Sequence, residues 1–340
     1  MIRPIQYLRG IAALMVVWHH CLHQLPGLYD LFPLDFTATG VDIFFVISGF
    51  IMVVTTSGKD ISPREFFAHR VVRVVPLYWA ATTLMAALYL LIPSQFNSAQ
   101  LTARTFVESL MFIPYDSPSF PGNPYPMLVP GWTLNYEMFF YAMFAASLAV
   151  PARSRLIGIA LLFCQLAAIG HMFGPFVGAK FVYTDSRLLE FVAGMVIGTL
   201  WVKGKVGEWP AAFGIAAIVG GFYCLMVGNS QMTLLAGASL IVLGSLTHSI
   251  RKIELWPMME LGNASYSIYL THLFTLGAMR DVWKHLPPST VSSYAFMGVS
   301  LAACAVAGWA CYWMVERPMT ARLQGVVKRR IRREVAASSA

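Results

Sequence analysis

The sequence carries little charge. Asp, Glu, Lys and Arg make up 12% of its 340 residues, whereas an ordinary soluble domain has about 25%. Hydrophobic residues make up 57% of the chain, and the mean hydropathy is +0.63. Because so few charges cannot cover the surface of a protein in water, the excess apolar surface must face lipid. This composition excludes a secreted enzyme, a cytosolic dinucleotide-binding protein and a disordered scaffold.

Cysteine is also scarce, and its spacing carries no motif. Each of the five cysteines lies in an apolar run, without a Cys-x-x-Cys or Cys/His pattern, so the sequence predicts neither a metal site nor a disulfide framework. We interpret them as thiols packed inside a membrane bundle, although Cys21, beside His20, stays a minor candidate nucleophile. A cleavable signal is not expected, because the first apolar run contains Arg9 and ends in histidines.

Acidic residues are the scarcer kind of charge, with 16 against 24 basic residues and a formal net charge of +8. Five of the basic residues fall in the last thirteen positions of the chain: Lys328, Arg329, Arg330, Arg332 and Arg333. Basic residues beside membrane spans usually set orientation and contact anionic head groups. The distribution therefore favours membrane lipid, and not nucleic acid, as a partner.

Ten apolar runs approach the length of about 20 residues that a helix needs to cross the ~30 Å hydrocarbon layer. They lie near 7–24, 40–57, 74–92, 132–150, 156–173, 188–202, 211–228, 232–250, 264–283 and 293–315. We therefore predict an all-α fold, a polytopic integral membrane bundle of about ten transmembrane helices over residues 1–320. A basic cytoplasmic tail is expected at 321–340, and the short run at 104–114 predicts an interfacial or re-entrant segment.

The basic residues also predict an orientation. With both termini in the cytoplasm, eighteen basic residues lie inside and five outside, in agreement with the positive-inside rule. The longest loop, 93–131, then lies outside. Its proline and aromatic residues indicate either a rigid cap over an outer mouth or an ordinary ordered loop.

Ionisable residues inside spans are costly and often mark a functional path. His20 follows Arg9 by eleven residues, a rise of about 16 Å along a helix, which places His20 in the outer half of the membrane. Asp42 and Glu137 enter from outside on the second and fourth spans and reach a similar depth. A carboxylate on one imidazole nitrogen raises the basicity of the other, so this group suits removal of a proton from an alcohol. The alternative is a buried network that only holds helices together.

A second polar group lies at the inner side. Arg70 and Arg73 are three residues apart at the start of the third span, so they share a helix face and suit a phosphate-bearing ligand. The alternative is positive-inside charge that contacts lipid head groups. On the ninth span, Ser267 and Tyr269 either line a channel or only form hydrogen bonds between helices, and His272 lies near mid-membrane.

These residues alone leave two classes of function open. One is transfer of a group from a phosphate-bearing donor on the inside to an acceptor on the outside. The other is a proton-coupled transporter or exporter, in which histidines and carboxylates relay protons. Either class uses a basic inner mouth, a polar middle and a histidine and carboxylate site on the outside.

Six motifs occur in an order that resembles acyltransferase family 3: QYLRGIAALMVVWHH, GVDIFFVISGF, RVVRVVPLYW, PGWTLNYEMFFY, GNASYSIYLTH and VERP. The resemblance covers about residues 3–320 and is greatest to the short members that acetylate bacterial exopolysaccharide. In that family an Arg-x10-His pair in the first helix is essential, which selects Arg9 and His20. An Arg-x-x-Arg pair, here Arg70 and Arg73, is implicated in holding acyl-CoA.

The resemblance implies a membrane O-acyltransferase of the bacterial inner membrane. It implies acyl transfer from cytoplasmic acyl-CoA, with acetyl-CoA expected, to a hydroxyl of an extracytoplasmic glycan such as exopolysaccharide. No permanently bound cofactor is expected, and a homo-oligomer stays open. The alternative function is a proton-coupled transporter or exporter subunit for a glycan or acyl compound. Longer family members add an extracytoplasmic hydrolase-like domain, for which this sequence shows no segment, so His20 is expected to serve the acceptor directly or to be acylated transiently.

The residues implied for this activity fall into three groups. The catalytic group is His20, Asp42 and Glu137. The donor-binding group is Arg9, Arg70, Arg73, Tyr78, Ser267 and Tyr269. The acceptor-binding group is Trp132 and His272. With its phosphates on Arg70 and Arg73, the thin pantetheine arm of the donor is expected to run along Arg9 toward His20.

Overall fold

The structure is a computed structural model that describes residues 2–32, 36–93, 101–287 and 289–338, with side chains described as far as residue 331. Within these ranges the chain is all-helical and contains no β-strand. In chain order the helices are α1 (Arg3–Leu22), α2 (Leu28–Leu31), α3 (Gly40–Thr56), α4 (Pro63–Leu91), α5 (Ala103–Leu110), α6 (Trp132–Ser147), α7 (Ala152–Phe173), α8 (Gly178–Thr184), α9 (Leu188–Val202), α10 (Ala211–Val227), α11 (Gln231–Ser245), α12 (His248–Arg251), α13 (Trp256–Trp283), α14 (Thr290–Cys311) and α15 (Arg317–Ser338). The prediction of an all-α fold is confirmed.

Helix boundaries follow local sequence chemistry. Ser62 caps the N-terminus of α4. Its side chain accepts a hydrogen bond from the backbone N–H of Glu65 and so satisfies one of the unpaired donors of the first turn. Ser230 and Ser289 cap α11 and α14 in the same way. Proline at the first turn of α4 costs no hydrogen bond there.

Each of the ten predicted apolar runs coincides with a helix of at least 15 residues in the described ranges. By length and apolar composition, four helical segments can cross a membrane: Thr37–Thr56, Pro63–Leu91, Ala152–Phe173 and Thr290–Ile331. The helices α10 and α11 are apolar but shorter. The chain is therefore an apolar helical membrane protein, whereas a total of about ten spans and the side of the termini stay predictions.

The segment at 104–114 forms the short helix α5, which at eight residues cannot cross a bilayer. Its N-terminus is a capping box, in which Thr102 and Thr105 exchange side-chain and backbone hydrogen bonds. Exposed apolar side chains, among them Val107 and Met111, lie on or beside it. These features fit the predicted interfacial or re-entrant segment, and its membrane depth stays a prediction.

The chain divides into two compact units, of which unit 1 comprises Met1–Val54 and Ala193–Met314. In unit 1, helix α13 packs against both α1 and α14, and α10 pairs with α11. A buried cluster that includes Val17, Ile268 and Phe296 joins α1, α13 and α14. A second cluster joins α1, α3 and the α10–α11 pair.

Glycines bring α1 and α13 of unit 1 close together. A Cβ on Gly262 would collide with the backbone carbonyl of Gln6, and a Cβ on Gly10 would lie 3.0 Å from the Cβ of Leu261. Small residues at such crossings let helix backbones approach, as is common between membrane helices. The approach sets the spacing of α1 and α13, which carry His20 and His272.

Unit 2 comprises Thr55–Val192 and Val315–Ala340. Helix α4 packs against α6 and α15, and α6 packs against α7 and α8. Phe140 stacks on Phe191 with ring centroids 4.5 Å apart and also contacts Phe144 and Phe163. This aromatic core holds α6, which carries Trp132 and Glu137.

The basic C-terminal segment is helical and continuous with the residues before it. Helix α15 runs across the predicted boundary between residues 320 and 321, so the boundary between bundle and tail stays a prediction. Arg329 bonds the carbonyl of Gly325 through its Nε. The side chains of Arg332 and Arg333, and residues 339 and 340, lie outside the part that the structure describes.

We expect Gly262→Ala to destabilise the protein, because the new methyl group meets the carbonyl of Gln6 across the α1–α13 contact. Overpacking of this kind costs about 1–3 kcal/mol, which lowers the midpoint of thermal unfolding. Gly298→Ala is the matched control, since a Cβ there has no atom within 4 Å. Circular dichroism in detergent measures both midpoints, and equal midpoints for the two variants would contradict the account of the helix crossing.

Candidate functional site

Four histidines of unit 1 lie together. His19 and His20 are on α1, His23 directly follows the last residue of α1, and His272 is on α13. The ring centroids of His20 and His272 are 4.8 Å apart, and those of His19 and His20 are 5.1 Å apart. His23 is exposed, whereas His272 has no exposed surface. The cluster therefore runs from the surface of unit 1 into its interior.

Backbone carbonyls fix the tautomers of the two inner rings. His20 Nδ1 lies 2.9 Å from the carbonyl oxygen of Val16, and His272 Nδ1 lies 2.7 Å from that of Tyr269. A carbonyl can only accept, so each Nδ1 carries hydrogen and donates. In the neutral ring the lone pair is then at Nε2, where an imidazole acts as a base.

Hydrogen-bonding groups surround this histidine pair. Cys304 Sγ lies 3.8 Å from the carbonyl oxygen of His272 and donates to it. Ser267 is buried, and Tyr269 is buried with its ring against Phe44 at a centroid distance of 5.9 Å. The channel that the hydroxyls of Ser267 and Tyr269 were expected to line stays a prediction.

Cys21, adjacent to His20, is wholly buried and belongs to the apolar cluster with Val17, Phe296 and Cys304. Apolar burial disfavours the thiolate, which is the nucleophilic form of cysteine. This environment makes a nucleophilic role for Cys21 chemically unfavourable and fits the interpretation of a packed thiol.

Arg9 and Asp42, both of unit 1, have amide partners. Arg9 Nη1 donates to Gln6 Oε1 at 3.1 Å, one turn earlier in α1. Asp42 is buried and accepts a hydrogen bond from Gln231 Nε2 at 2.9 Å on its Oδ1. The expected orientation of His20 by Asp42 stays a prediction, and the partner that the structure gives to His20 Nδ1 is the Val16 carbonyl.

The arginine pair of α4 forms the polar centre of unit 2. Arg70 lies over the ring of Phe66, with its guanidinium carbon 5.3 Å from the centroid. Its Nε is buried and has no hydrogen-bond partner among the described residues. A buried donor without a partner is costly, so this guanidinium is well suited to receive an anion.

Glu137 belongs to the same polar centre. Tyr141 donates a hydrogen bond to Glu137 Oε2 at 3.1 Å. Both residues lie close enough to Arg70 to interact electrostatically with its guanidinium. The sequence predicts an outer carboxylate beside the base, and within unit 2 Glu137 accepts a hydrogen bond from Tyr141. Its catalytic role stays a prediction.

Arg73 is held by Glu316, the residue directly before α15. Arg73 Nη1 forms an ion pair with Glu316 Oε1, and the Glu316 side chain has no exposed surface. This ion pair could not be predicted from the sequence, because the partners are 243 residues apart. A carboxylate at the end of an apolar run was the only signal.

Tyr78, expected to bind the donor, is wholly buried in unit 2. Its hydroxyl donates to the carbonyl oxygen of Ser109 at 3.1 Å, and its ring packs 4.8 Å from that of Phe112. A Cβ on Gly131 would collide with the Tyr78 ring, so the glycine before α6 makes room for it. These contacts join α4 to the segment after α5, and a donor contact for Tyr78 stays a prediction.

Trp132, expected to bind the acceptor, lies in an aromatic series of unit 2. Its ring centroid is 6.3 Å from that of Tyr125 and 5.7 Å from that of Tyr136. The guanidinium of Arg187 lies over it at 5.5 Å. Asp185 accepts hydrogen bonds from Arg187 Nη1 and the Tyr136 hydroxyl, each at 2.9 Å. Tyr136, Asp185 and Arg187 were not predicted as site residues. Tyr136 lies in the motif PGWTLNYEMFFY, which could have pointed to it, whereas Asp185 and Arg187 lie outside the six motifs.

Beside Trp132, a partly open cavity is lined by aromatic rings and hydroxyl groups, among them Tyr115, Phe120 and Tyr125. Burial raises the pKa of Tyr115 above its ordinary value, so its hydroxyl stays protonated near neutral pH. No group of three or more His, Cys, Asp or Glu side chains that could hold a metal ion occurs in the part of the chain that the structure describes.

Comparisons with known proteins agree on one family. The family model described as an acyltransferase domain matches residues 3–312. The exopolysaccharide production protein ExoZ of Rhizobium meliloti is 39% identical over 84% of this chain and 90% of its own length. Nodulation protein 10 of Rhizobium leguminosarum bv. viciae is 25% identical over 92% of this chain and 90% of its own. The putative membrane-bound transacylase BcsY of Komagataeibacter xylinus is 29% identical over 79% and 72%. No solved structure matches the chain.

We expect the ion pair of Arg73 and Glu316 to be strongly coupled. Arg73→Met removes the cation and leaves Glu316 buried without it, a loss of about 3–5 kcal/mol. The double variant Arg73→Met with Glu316→Leu recovers much of that stability, because neither charge then remains. Thermal unfolding of wild type, both single variants and the double variant completes the cycle. Additive losses would show that the pair is not energetically coupled.

Proposed function

Because this chain belongs to the acyltransferase domain family, we propose that it transfers an acyl group from acyl-CoA to a sugar hydroxyl. Membership in the family makes it a membrane acyltransferase. The finer proposal is an O-acetyltransferase that uses cytoplasmic acetyl-CoA and acts on an extracytoplasmic glycan. The observation that carries the proposal is the His20 imidazole, whose Nδ1 is held on the Val16 carbonyl so that its Nε2 can act as the base.

His20 is the proposed general base. As the acceptor hydroxyl oxygen forms its bond to the acyl carbon, the hydroxyl proton passes to Nε2 of His20. The carbon–sulfur bond of the thioester then breaks, and the proton goes to the sulfur of CoA, which leaves as the thiol. The products are one sugar ester and one CoA thiol. A transient acyl-His20 is the covalent alternative.

The arginines are the proposed binding groups for the donor. The buried Arg70 Nε, which has no described partner, and the guanidinium of Arg73, fixed by Glu316, suit phosphate oxygens. Arg9 is one part of the path proposed for the pantetheine arm, since α1 rises about 16 Å from Arg9 to His20. Ser267, Tyr269 and Tyr78 are further candidates for the donor.

The acceptor is proposed to be a glycan. One relative supports this class, because the ExoZ protein is named for exopolysaccharide production. The name of BcsY, a putative membrane-bound transacylase, supports acyl transfer. The aromatic rings around Trp132 suit a sugar, because rings cover its apolar C–H faces. Asp42 stays a candidate for orienting His20, and Glu137 stays a candidate for the same role or for contacting the acceptor.

We expect His20→Gln to abolish transfer, since loss of general-base catalysis costs about 100- to 10,000-fold. The measurement is mass spectrometry of surface glycans from cells that make wild-type or variant protein, with acyl esters as the readout. His23→Gln is the matched control, because His23 is an exposed histidine at the end of the same helix. Its glycans should keep their esters.

Two readouts distinguish an acyltransferase from a transporter, which is the second class of function that the sequence left open: acyl esters on the glycans and release of CoA thiol. A transporter moves its cargo without consuming a thioester, so membranes incubated with acyl-CoA should release no CoA thiol. Esters that persist on glycans from His20→Gln cells would contradict the general-base role of His20. Glycans without esters in wild-type cells would contradict the acyltransferase proposal.

We expect Arg70→Ala to raise the KM for acyl-CoA by about 10- to 100-fold, which is the range for loss of a hydrogen bond to a charged group. The kcat should change little, because the phosphates are remote from the reacting carbon. Arg64→Ala is the control, as an exposed arginine in the first turn of α4. A titration of acyl-CoA against purified protein gives both constants, and an unchanged KM for Arg70→Ala would remove Arg70 from the donor site.

A further inference from the structure

His272 is a buried titratable group that the mechanism above leaves unused. Its Nδ1 is committed to the Tyr269 carbonyl at 2.7 Å. Its Nε2 is buried and has no hydrogen-bond partner in the described part of the chain. The whole residue has no exposed surface, so water does not reach this atom from outside. A buried polar atom without a partner is unfavourable, so the fold retains it at a cost to stability.

The nearest titratable ring to His272 is the imidazole of His20, which can change its protonation state. The two centroids lie 4.8 Å apart with an interplanar angle of 59°, and at such a separation one hydrogen bond can join the edges of the two rings. While both rings are neutral, each has a proton at Nδ1 and a lone pair at Nε2. Two lone pairs cannot bond one another, so the resting pair lacks one proton.

We propose that His272 is a positioning residue that accepts a hydrogen bond at Nε2 from His20 once His20 has taken the acceptor's proton. This inference rests on the proposed function, in which His20 is the base. The proton that leaves the sugar hydroxyl becomes the proton that the pair lacks. It is shared between the two Nε2 atoms and then passes from His20 to the sulfur of CoA, so no further reactant is needed.

The His20–His272 pair lies in an apolar interior, where sharing the proton between the two rings strongly stabilises the protonated state. A cation in an apolar interior is costly unless a neighbouring group solvates it, and His272 provides that group from within the protein. The titratable side chains that face His272 or adjoin it are His19, His20 and Cys21 on α1, Cys304 on α14 and Tyr269 on α13. Of these, His20 has the closest ring to His272, and Cys304 donates only to the carbonyl of His272.

Two isosteric variants separate this role from simple packing. His272→Asn keeps a donor at the position of Nδ1 but has no atom at the position of Nε2. His272→Gln places an amide oxygen near the position of Nε2, which still accepts a hydrogen bond from protonated His20. We therefore expect kcat to fall by about 10- to 100-fold in His272→Asn, the range for a hydrogen bond to a charged group. A smaller fall is expected in His272→Gln, with the KM for acetyl-CoA unchanged in both.

The pH profile is the readout that packing does not move. Protonated His20 cannot act as the base, so kcat/KM falls on the acid side as the pair takes up a proton. Without the acceptor at His272 the protonated form of His20 is less stable. The acid limb should therefore move to lower pH in His272→Asn and move less in His272→Gln. Thermal unfolding and acetyl-CoA binding of each variant verify that it is folded.

The experiment uses the full-length protein in detergent or vesicles, with acetyl-CoA as donor and oligosaccharides released from the cell-surface polysaccharide as acceptor. A reduced kcat with an unmoved acid limb in His272→Asn overturns the positioning role and leaves the proposed function intact. An absence of any transfer by the wild type, or transfer that survives in His20→Gln, overturns the proposed function itself.

Discussion

A polar group inside an apolar bundle must find its partner within the protein, because lipid and packed side chains provide no water. This constraint governs both units of the chain. Where carbonyls are available, they fix side chains: Val16 and Tyr269 hold the Nδ1 atoms of His20 and His272. Where a charge is buried, an opposite charge from a remote part of the sequence forms an ion pair with it, as Arg73 does with the buried Glu316. His272 Nε2 and Arg70 Nε are two of several buried polar atoms without a hydrogen-bond partner among the described residues, and they are the two that belong to groups used in the proposed reaction.

The two incomplete groups differ in chemistry in a way that matches two halves of one reaction. Arg70 is a permanent cation, so the missing partner of its Nε is an acceptor, and a phosphate oxygen is a strong one. His272 Nε2 is a lone pair in the neutral ring, so its missing partner is a donor. In the proposed acyl transfer, the donor phosphate brings an anion to the first and the acceptor hydroxyl brings a mobile proton to the second.

Much of the fold could be predicted from sequence, because apolar runs of 15 residues or more have few alternatives to a helix in lipid. The histidine and the arginine pairs could also be found, since ionisable residues stand out in such runs. The partners could not. Glu316 and Arg73 are 243 residues apart, and Asp42 and Gln231 are 189 apart, so only tertiary packing brings them together. The Val16 carbonyl could not have been found from side-chain chemistry at all, because a backbone group has no sequence signal.

The central claim is that the chain moves an acyl group from a thioester to a glycan hydroxyl. The most direct measurement supplies acetyl-CoA with an isotopically labelled acetyl group to membranes that contain the protein. It then counts labelled glycan esters by mass spectrometry and released CoA thiol by a thiol reagent. The account predicts one thiol released for each ester formed, with both absent from membranes that lack the protein. Glycan that gains no label while the protein is present, or label that appears without release of thiol, would contradict it.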